Sequence, residues 1–222
     1  MTPPSPEASG TTASASWLDL LDWRRELNDL YAHVREERTH DPRAAHRHWQ
    51  ERRNDLFRRH PQTPLPADER AAFAGLPVWE YDPALSFDAP IDTTLPPERL
   101  IVASSTGQDM PLVRIGRASL TPAAPTTPAF TLDVYWIDVY GGGVFVPFRD
   151  ASSGHETYGG GRYLLDTAKG ADLGSVRAGH LTLDFNFAYH PSCHYDPRWS
   201  CPLAPPQNVL GAAIRAGERS RM

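Results

Sequence analysis

One change of period governs what this chain can fold into. Up to Gly75 apolar residues recur three and four apart; beyond it they alternate, and turn residues return at short intervals. The first pattern predicts helices and the second strands, because side chains share a face every 3.6 residues in one and every second residue in the other. Ser16 reads as an N-cap with Asp19 three residues on, and Leu20, Leu27, Tyr31 and Val34 form a stripe that predicts a helix to about Arg38. Asp41 before Pro42 repeats the cap, and Ala45, Trp49 and Leu56 carry a second helix to about Arg59. A short third helix is expected over 67–74, ending at Gly75.

Strands are expected near 78–81, 85–91, 100–103, 112–120, 130–140, 144–149, 158–166 and 181–189. In the clearest, Phe130, Leu132, Val134 and Trp136 alternate with Thr131, Asp133 and Tyr135 before a turn at Gly141, Gly142 and Gly143. Hairpins without intervening helices predict an α+β, mainly β chain: an antiparallel β-barrel or sandwich of about eight strands covered by a helical hairpin. Residues 1–15 read as a disordered tail, 16–75 as the helical segment, and 76–222 as the β domain, forming one structural unit with 16–75.

Charge narrows the function classes. A net charge of −5 lacks the positive field of most nucleic-acid binders, and the six arginines and three histidines of residues 43–60 circle their helix as a solvated surface. No apolar run is long enough to span a bilayer and no secretory leader is visible, so a cytoplasmic protein is expected. Every basic residue but Lys169 is arginine, and Lys169 lacks the glycine motif of a phosphate-binding loop. The G-x-S-x-G and H-E-x-x-H motifs are absent, and Gly159, Gly160 and Gly161 do not have the spacing of a dinucleotide fingerprint.

Two segments concentrate the chemistry. Along 181–189, Leu183, Phe185 and Phe187 face one way and Thr182, Asp184 and Asn186 the other. The polar face either meets water or, in a closed barrel, lines a pocket. The glycine run marks a flexible turn, a bulge, or a close approach to a ligand that aims Arg162 inward, where it holds an anion or pairs with Asp184. His190, Cys193, His194 and Cys201 are four N/S groups within twelve residues, the number a structural zinc takes but not a standard spacing. Buried thiols and a Cys193–Cys201 disulfide are the other states open to this pair, and Cys193 beside His155, His180 or His190 is a further nucleophile candidate.

Three ordered motifs, FRDASSGHETYGGGRYL (148–164), LDFNFAYHPSC (183–193) and CPLAPPQN (201–208), resemble the bacterial and archaeal DUF1684 family, as do the Trp- and Arg-rich opening helices. The resemblance implies a family without an established activity. Its motif positions fall on Asp150, Thr157, Tyr158, Arg162, Asp184, Asn186, Tyr189, Pro191, Cys193, Cys201 and Asn208. His190 stands where asparagine is more typical and His194 lies outside the motif, which weakens the four-ligand zinc arrangement; no other cofactor is expected.

The expected function is a small-molecule-binding β-barrel-like domain whose Tyr158, Arg162, Asp184, Asn186 and Tyr189 converge on a polar pocket. Whether it is also an enzyme stays open; the alternative is a hydrolase or isomerase with Asp184 or His155 as acid/base and Arg162 as electrostatic stabiliser. A third reading is a structural or protein-interaction module, and the oligomeric state is open. Of 22 prolines, eight lie at 61–97 and five at 191–206, so the second group predicts a rigid irregular flap over one end of the barrel.

Overall fold

A computed structural model describes residues 13–123 and 128–220; the expected tail lies outside them up to residue 12. Helix α1 spans Ala13–Glu37, so Ser16 sits inside the helix and not at its cap. The Ser16 carbonyl and hydroxyl instead accept from Gln62 Nε2 at 3.1 and 3.3 Å. Helix α2, Pro42–Arg59, begins where the sequence places it: the Asp41 carboxylate accepts the Ala44 N–H, and Pro42 occupies a first-turn position whose N–H would have no helical partner. Helix α3 is a single turn, Ala67–Arg70.

Seven strands follow, β1 (Ser86–Asp92), β2 (Glu98–Ala103), β3 (Asp109–Leu120), β4 (Phe130–Ile137), β5 (Val144–Phe148), β6 (Arg162–Asp166) and β7 (His180–Asp184). They form one antiparallel sheet in the order β6-β5-β4-β3-β1-β7, with β2 also on β3, curled into a half-barrel. Strand β3 changes partner along its length, from β2 over Asp109–Arg114 to β1 at Arg117 and Ala118, with a bulge between Arg114 and Gly116. Gly116 is needed there, since a Cβ would lie 2.4 Å from Ile91 Cγ2. The two outer strands are joined beyond β7 by Tyr163 and Tyr189, whose N–H groups each donate to the other's carbonyl at 2.9 and 3.1 Å.

The structure corrects two expected strands. Residues 78–81 form no strand; Val78 makes one isolated bridge, to Glu218. The strand expected over 181–189 ends at Asp184, whose carboxylate accepts the Asn186 N–H and turns Phe185–Phe187 into a 3-10 helix. Both faces there are buried, Leu183, Asp184, Phe185, Asn186 and Phe187 alike.

One hydrophobic cluster joins helices and sheet, with Trp23, Tyr31, Val34, Trp49 and Phe57 packed with Val134, Phe148, Leu165, Leu183 and Phe185. Trp49 is fully buried, edge-on to Phe187, and donates its indole N–H to the Tyr31 hydroxyl at 3.2 Å. The opposite face of the sheet carries a smaller cluster of Val102, Leu112, Tyr135, Ile137, Phe145 and Tyr163. The β4–β5 ladder is short, pairing only Tyr135 with Phe145 and Trp136 with Val144. Beyond it the Asn208 side chain replaces the missing rung: Oδ1 accepts the Asp133 N–H at 2.8 Å, and Nδ2 donates to the carbonyls of Asp133 and Pro147 at 3.0 and 2.7 Å. Pro147 brings no N–H of its own, so a side-chain amide is what completes the pairing.

Candidate functional site

The residues expected to share one pocket occupy four separate places. Arg162 is 1% exposed and its fork of donors is consumed by the chain itself. Nη1 donates to the carbonyls of Ala216 and Glu218, and Nη2 to Asp150 Oδ2 at 3.1 Å and to the Ile214 carbonyl at 2.7 Å. Asp150 Oδ2 also accepts the Ile214 N–H at 2.6 Å. Arg162 therefore straps the C-terminal segment 214–218 across the half-barrel, between the rings of Trp79 and Phe148. Burial pulls its pKa down to about 10, against Asp150, so it stays charged at neutral pH. Gly161, at φ +98, lets the strand begin here; a Cβ would lie 2.4 Å from the Phe148 carbonyl oxygen. The close approach expected at the glycine run is to this backbone.

Asp184 and Asn186 form a second network. Asp184 Oδ2 accepts the Ser86 and Tyr81 hydroxyls at 2.8 and 3.2 Å, while Oδ1 accepts the backbone N–H and Nδ2 of Asn186. Asn186 in turn pairs with both backbone groups of Asp82 at 2.8 Å. Burial raises the Asp184 pKa, and the hydroxyl and amide donors hold it down in part. The pair braces the β7 end to the segment before β1. His155, the other acid/base candidate, stands exposed in a turn.

Tyr158 lies in a third place, against the buried cluster of Cys193, Trp199 and Cys201. Both cysteines are free thiols. Among the described residues no group of three or more His, Cys, Asp and Glu is placed to hold a metal. His190 Nε2 accepts the Tyr158 N–H at 3.2 Å, so that nitrogen is already engaged by the backbone. Burial, with the nearby His194, Arg162 and Arg53, drives the His190 pKa well below the usual imidazole value.

Tyr189 belongs to a junction that the sequence reading did not assemble. The Arg53 guanidinium stacks over the rings of Tyr189, Trp49 and Phe57 at 5.0 to 5.3 Å and pairs with Glu218. Burial alone would lower the Arg53 pKa; Glu218 holds it up. Glu218 Oε2 accepts the His190 N–H at 2.8 Å and the Tyr195 hydroxyl at 2.9 Å. Arg53 was hidden among exposed arginines of α2, yet it falls on the buried stripe of Ala45, Trp49 and Leu56, four residues after Trp49.

Two cavities flank this junction. A small one, about 50 Å³, lies under α1 among Trp23, Leu27, Arg53, Lys169, Tyr189 and His190. A larger one, about 220 Å³, has Glu218 in its wall, apolar sides from Leu65, Leu76 and Pro77, and Tyr195, His194, Glu69 and Arg219 as polar groups. The Arg219 Nε is buried without a hydrogen-bond partner among the described residues.

Helices closing a curled antiparallel sheet, with buried arginines binding a C-terminal strap into the interior, define a mainly β half-barrel protein of the α+β class. The chain belongs to the family DUF1684, described as protein of unknown function, whose model matches residues 71–219. It is similar to an uncharacterized protein of the archaeon Haloarcula marismortui solved by NMR, at 29% identity and a TM-score of 0.56, over 83% of this chain and 97% of that one. No curated protein matches it. No described helix is long and apolar enough to cross a membrane.

Proposed function

We propose that this protein binds a small organic acid at the junction of the helical hairpin, the flap and the C-terminal strap. The observation that carries the reading is the 220 Å³ cavity with Leu65, Leu76 and Pro77 on its sides and Arg219 among its polar lining residues. Apolar walls with a few convergent polar groups are the usual form of a ligand site, and a guanidinium in such a wall suits a carboxylate or phosphate. Glu218 is spoken for by Arg53, so it shapes the wall without repelling the anion as a free carboxylate would. The two free thiols support a cytoplasmic setting.

Thermal shift against a panel of small organic acids tests the reading, with Arg219→Ala and Ser220→Trp as variants. Stabilising hits that vanish in both variants support the site. No hit, or hits indifferent to both changes, would overturn it.

A second reading, a protein-interaction surface, is favoured by the exposed Trp17, Leu18 and Leu21 of α1. Sedimentation of the wild type beside a triple alanine variant decides it: unchanged monomers in both count against self-association through this face.

A further inference from the structure

The flap brings together two thiols that the binding reading does not use. Seven residues separate Cys193 from Cys201, yet the Cys193 N–H donates to Cys201 Sγ at 3.4 Å and the Cys201 thiol hydrogen-bonds the Cys193 sulfur. The Cys193 sulfur also lies 3.6 Å from the Tyr158 hydroxyl and within reach of the Ser105 hydroxyl. The flap is pinned in this arrangement from the turn between β2 and β3: the Ser105 N–H donates to the Cys201 carbonyl at 2.8 Å, and the Cys201 N–H donates to the Ser105 hydroxyl at 3.1 Å. Thiols held together by a hydrogen bond need only a small movement to reach the roughly 2 Å of a disulfide bond.

We propose that Cys193 and Cys201 are a peroxide-reactive dithiol, in which Cys193 is the attacking sulfur and Cys201 the resolving one.

The surroundings assign the two roles. Cys193 sulfur is ringed by donors, which favour the thiolate, the form that reacts. The contact with the Cys201 thiol lowers the pKa of Cys193, against burial, and raises that of Cys201. Cys193 is also the more open of the two, 8% exposed against 3%. Both the direction of these shifts and the exposure make Cys193 the sulfur favoured as thiolate and Cys201 the one favoured as thiol.

The chemistry balances. The Cys193 thiolate attacks the terminal oxygen of a hydroperoxide; an S–O bond forms, the O–O bond breaks, and the alcohol or water leaves with the proton that Cys193 had given up. The sulfenic acid is then attacked by Cys201, an S–S bond forms, and the hydroxyl departs as water with the Cys201 proton. Two thiols lose two electrons and two protons, and the hydroperoxide is reduced to alcohol and water. A cytoplasmic disulfide of this kind is transient and reversible by thiols.

The test treats the reduced full chain with hydrogen peroxide and maps its peptides without reduction. The expected result is a Cys193–Cys201 linked peptide, two hydrogens lighter, that dithiothreitol reverses. Cys201→Ser should accumulate a sulfenic acid on Cys193 that a dimedone probe traps, and Cys193→Ser should slow peroxide consumption at the remaining thiol at least tenfold. Tyr158→Phe should move the midpoint of iodoacetamide reactivity to higher pH. Two thiols oxidised separately with no linked peptide, or equal peroxide reactivity of the two single variants, would overturn the proposal.

Discussion

Arg53 and Glu218, 165 residues apart in the chain, meet with Nε and Nη2 of the guanidinium on one carboxylate oxygen, at 3.0 and 2.5 Å, and both side chains are almost wholly buried. The pair links α2 to the C-terminal strap. Removing one partner leaves the other charged and buried, so Glu218→Ala should cost about 3–5 kcal/mol in urea unfolding. Arg53→Met with Glu218→Leu should cost less than either single change; a double variant at the sum of the two would show that the pair is not coupled.

Arg162 makes a sharper demand, because it serves one carboxylate and three carbonyls from a planar fork. Arg162→Lys keeps the charge but supplies one nitrogen where the strap needs several. Its unfolding free energy should fall by about 2–4 kcal/mol, with proteolysis beginning in 209–220. A variant within 0.5 kcal/mol of the wild type, roughly the scatter of neutral substitutions, would mean that the strap is held by packing alone.

Asn208 tests the replaced rung. Asn208→Ala strands one buried N–H and two carbonyls between β4 and β5. The expected loss is about 2–4 kcal/mol. Asn208→Asp should be no better, since a carboxylate has no donor for the two carbonyls; hydrogen exchange at the Asp133 amide reads the effect at its source.

Stability should fall on acidification. His46 is buried between Trp49, Phe187 and Tyr81, and burial lowers its pKa to about 4; burial also holds His190 well below the same ordinary value of 6.5. Below 6.5 the unfolded chain takes up protons that the folded one refuses. The stabilisation is therefore complete above 6.5 and lost as pH falls toward the folded values, on the order of 2–3 kcal/mol for His46 by pH 4. Asp184, raised by burial, works in the opposite sense just above its ordinary 3.8. Urea unfolding at pH 7, 5.5 and 4.5 should show the decline, shallower in His46→Gln; equal slopes would remove His46 from the account.

What the sequence made legible was local. Asp41 and Pro42 announce α2 to the residue, and the alternation around Phe130 finds β4, because capping and pleating are decided within a few positions. The seven strands and the helical cover follow from the same signals. The failures lie where partners are distant: residues 78–81 look like a strand but have only Glu218 to pair with, and Asp184 ends its strand by capping the next turn. Of the five proposed pocket residues Arg162, Asp184 and Asn186 are buried, but Arg162 answers to 214–218 and Asp184 to Tyr81 and Ser86. Alternation shows that a side chain is enclosed, not which chain segment meets it there.

The binding claim is tested most directly at Arg219 Nε–H, read through its nitrogen-15 resonance. Titration with the organic acid giving the largest thermal shift should move that resonance saturably, together with the amides of Leu76 and Tyr195, which share the cavity with Arg219. An Arg219 signal that stays in place while resonances elsewhere saturate, or no saturable shift at all, would contradict the account.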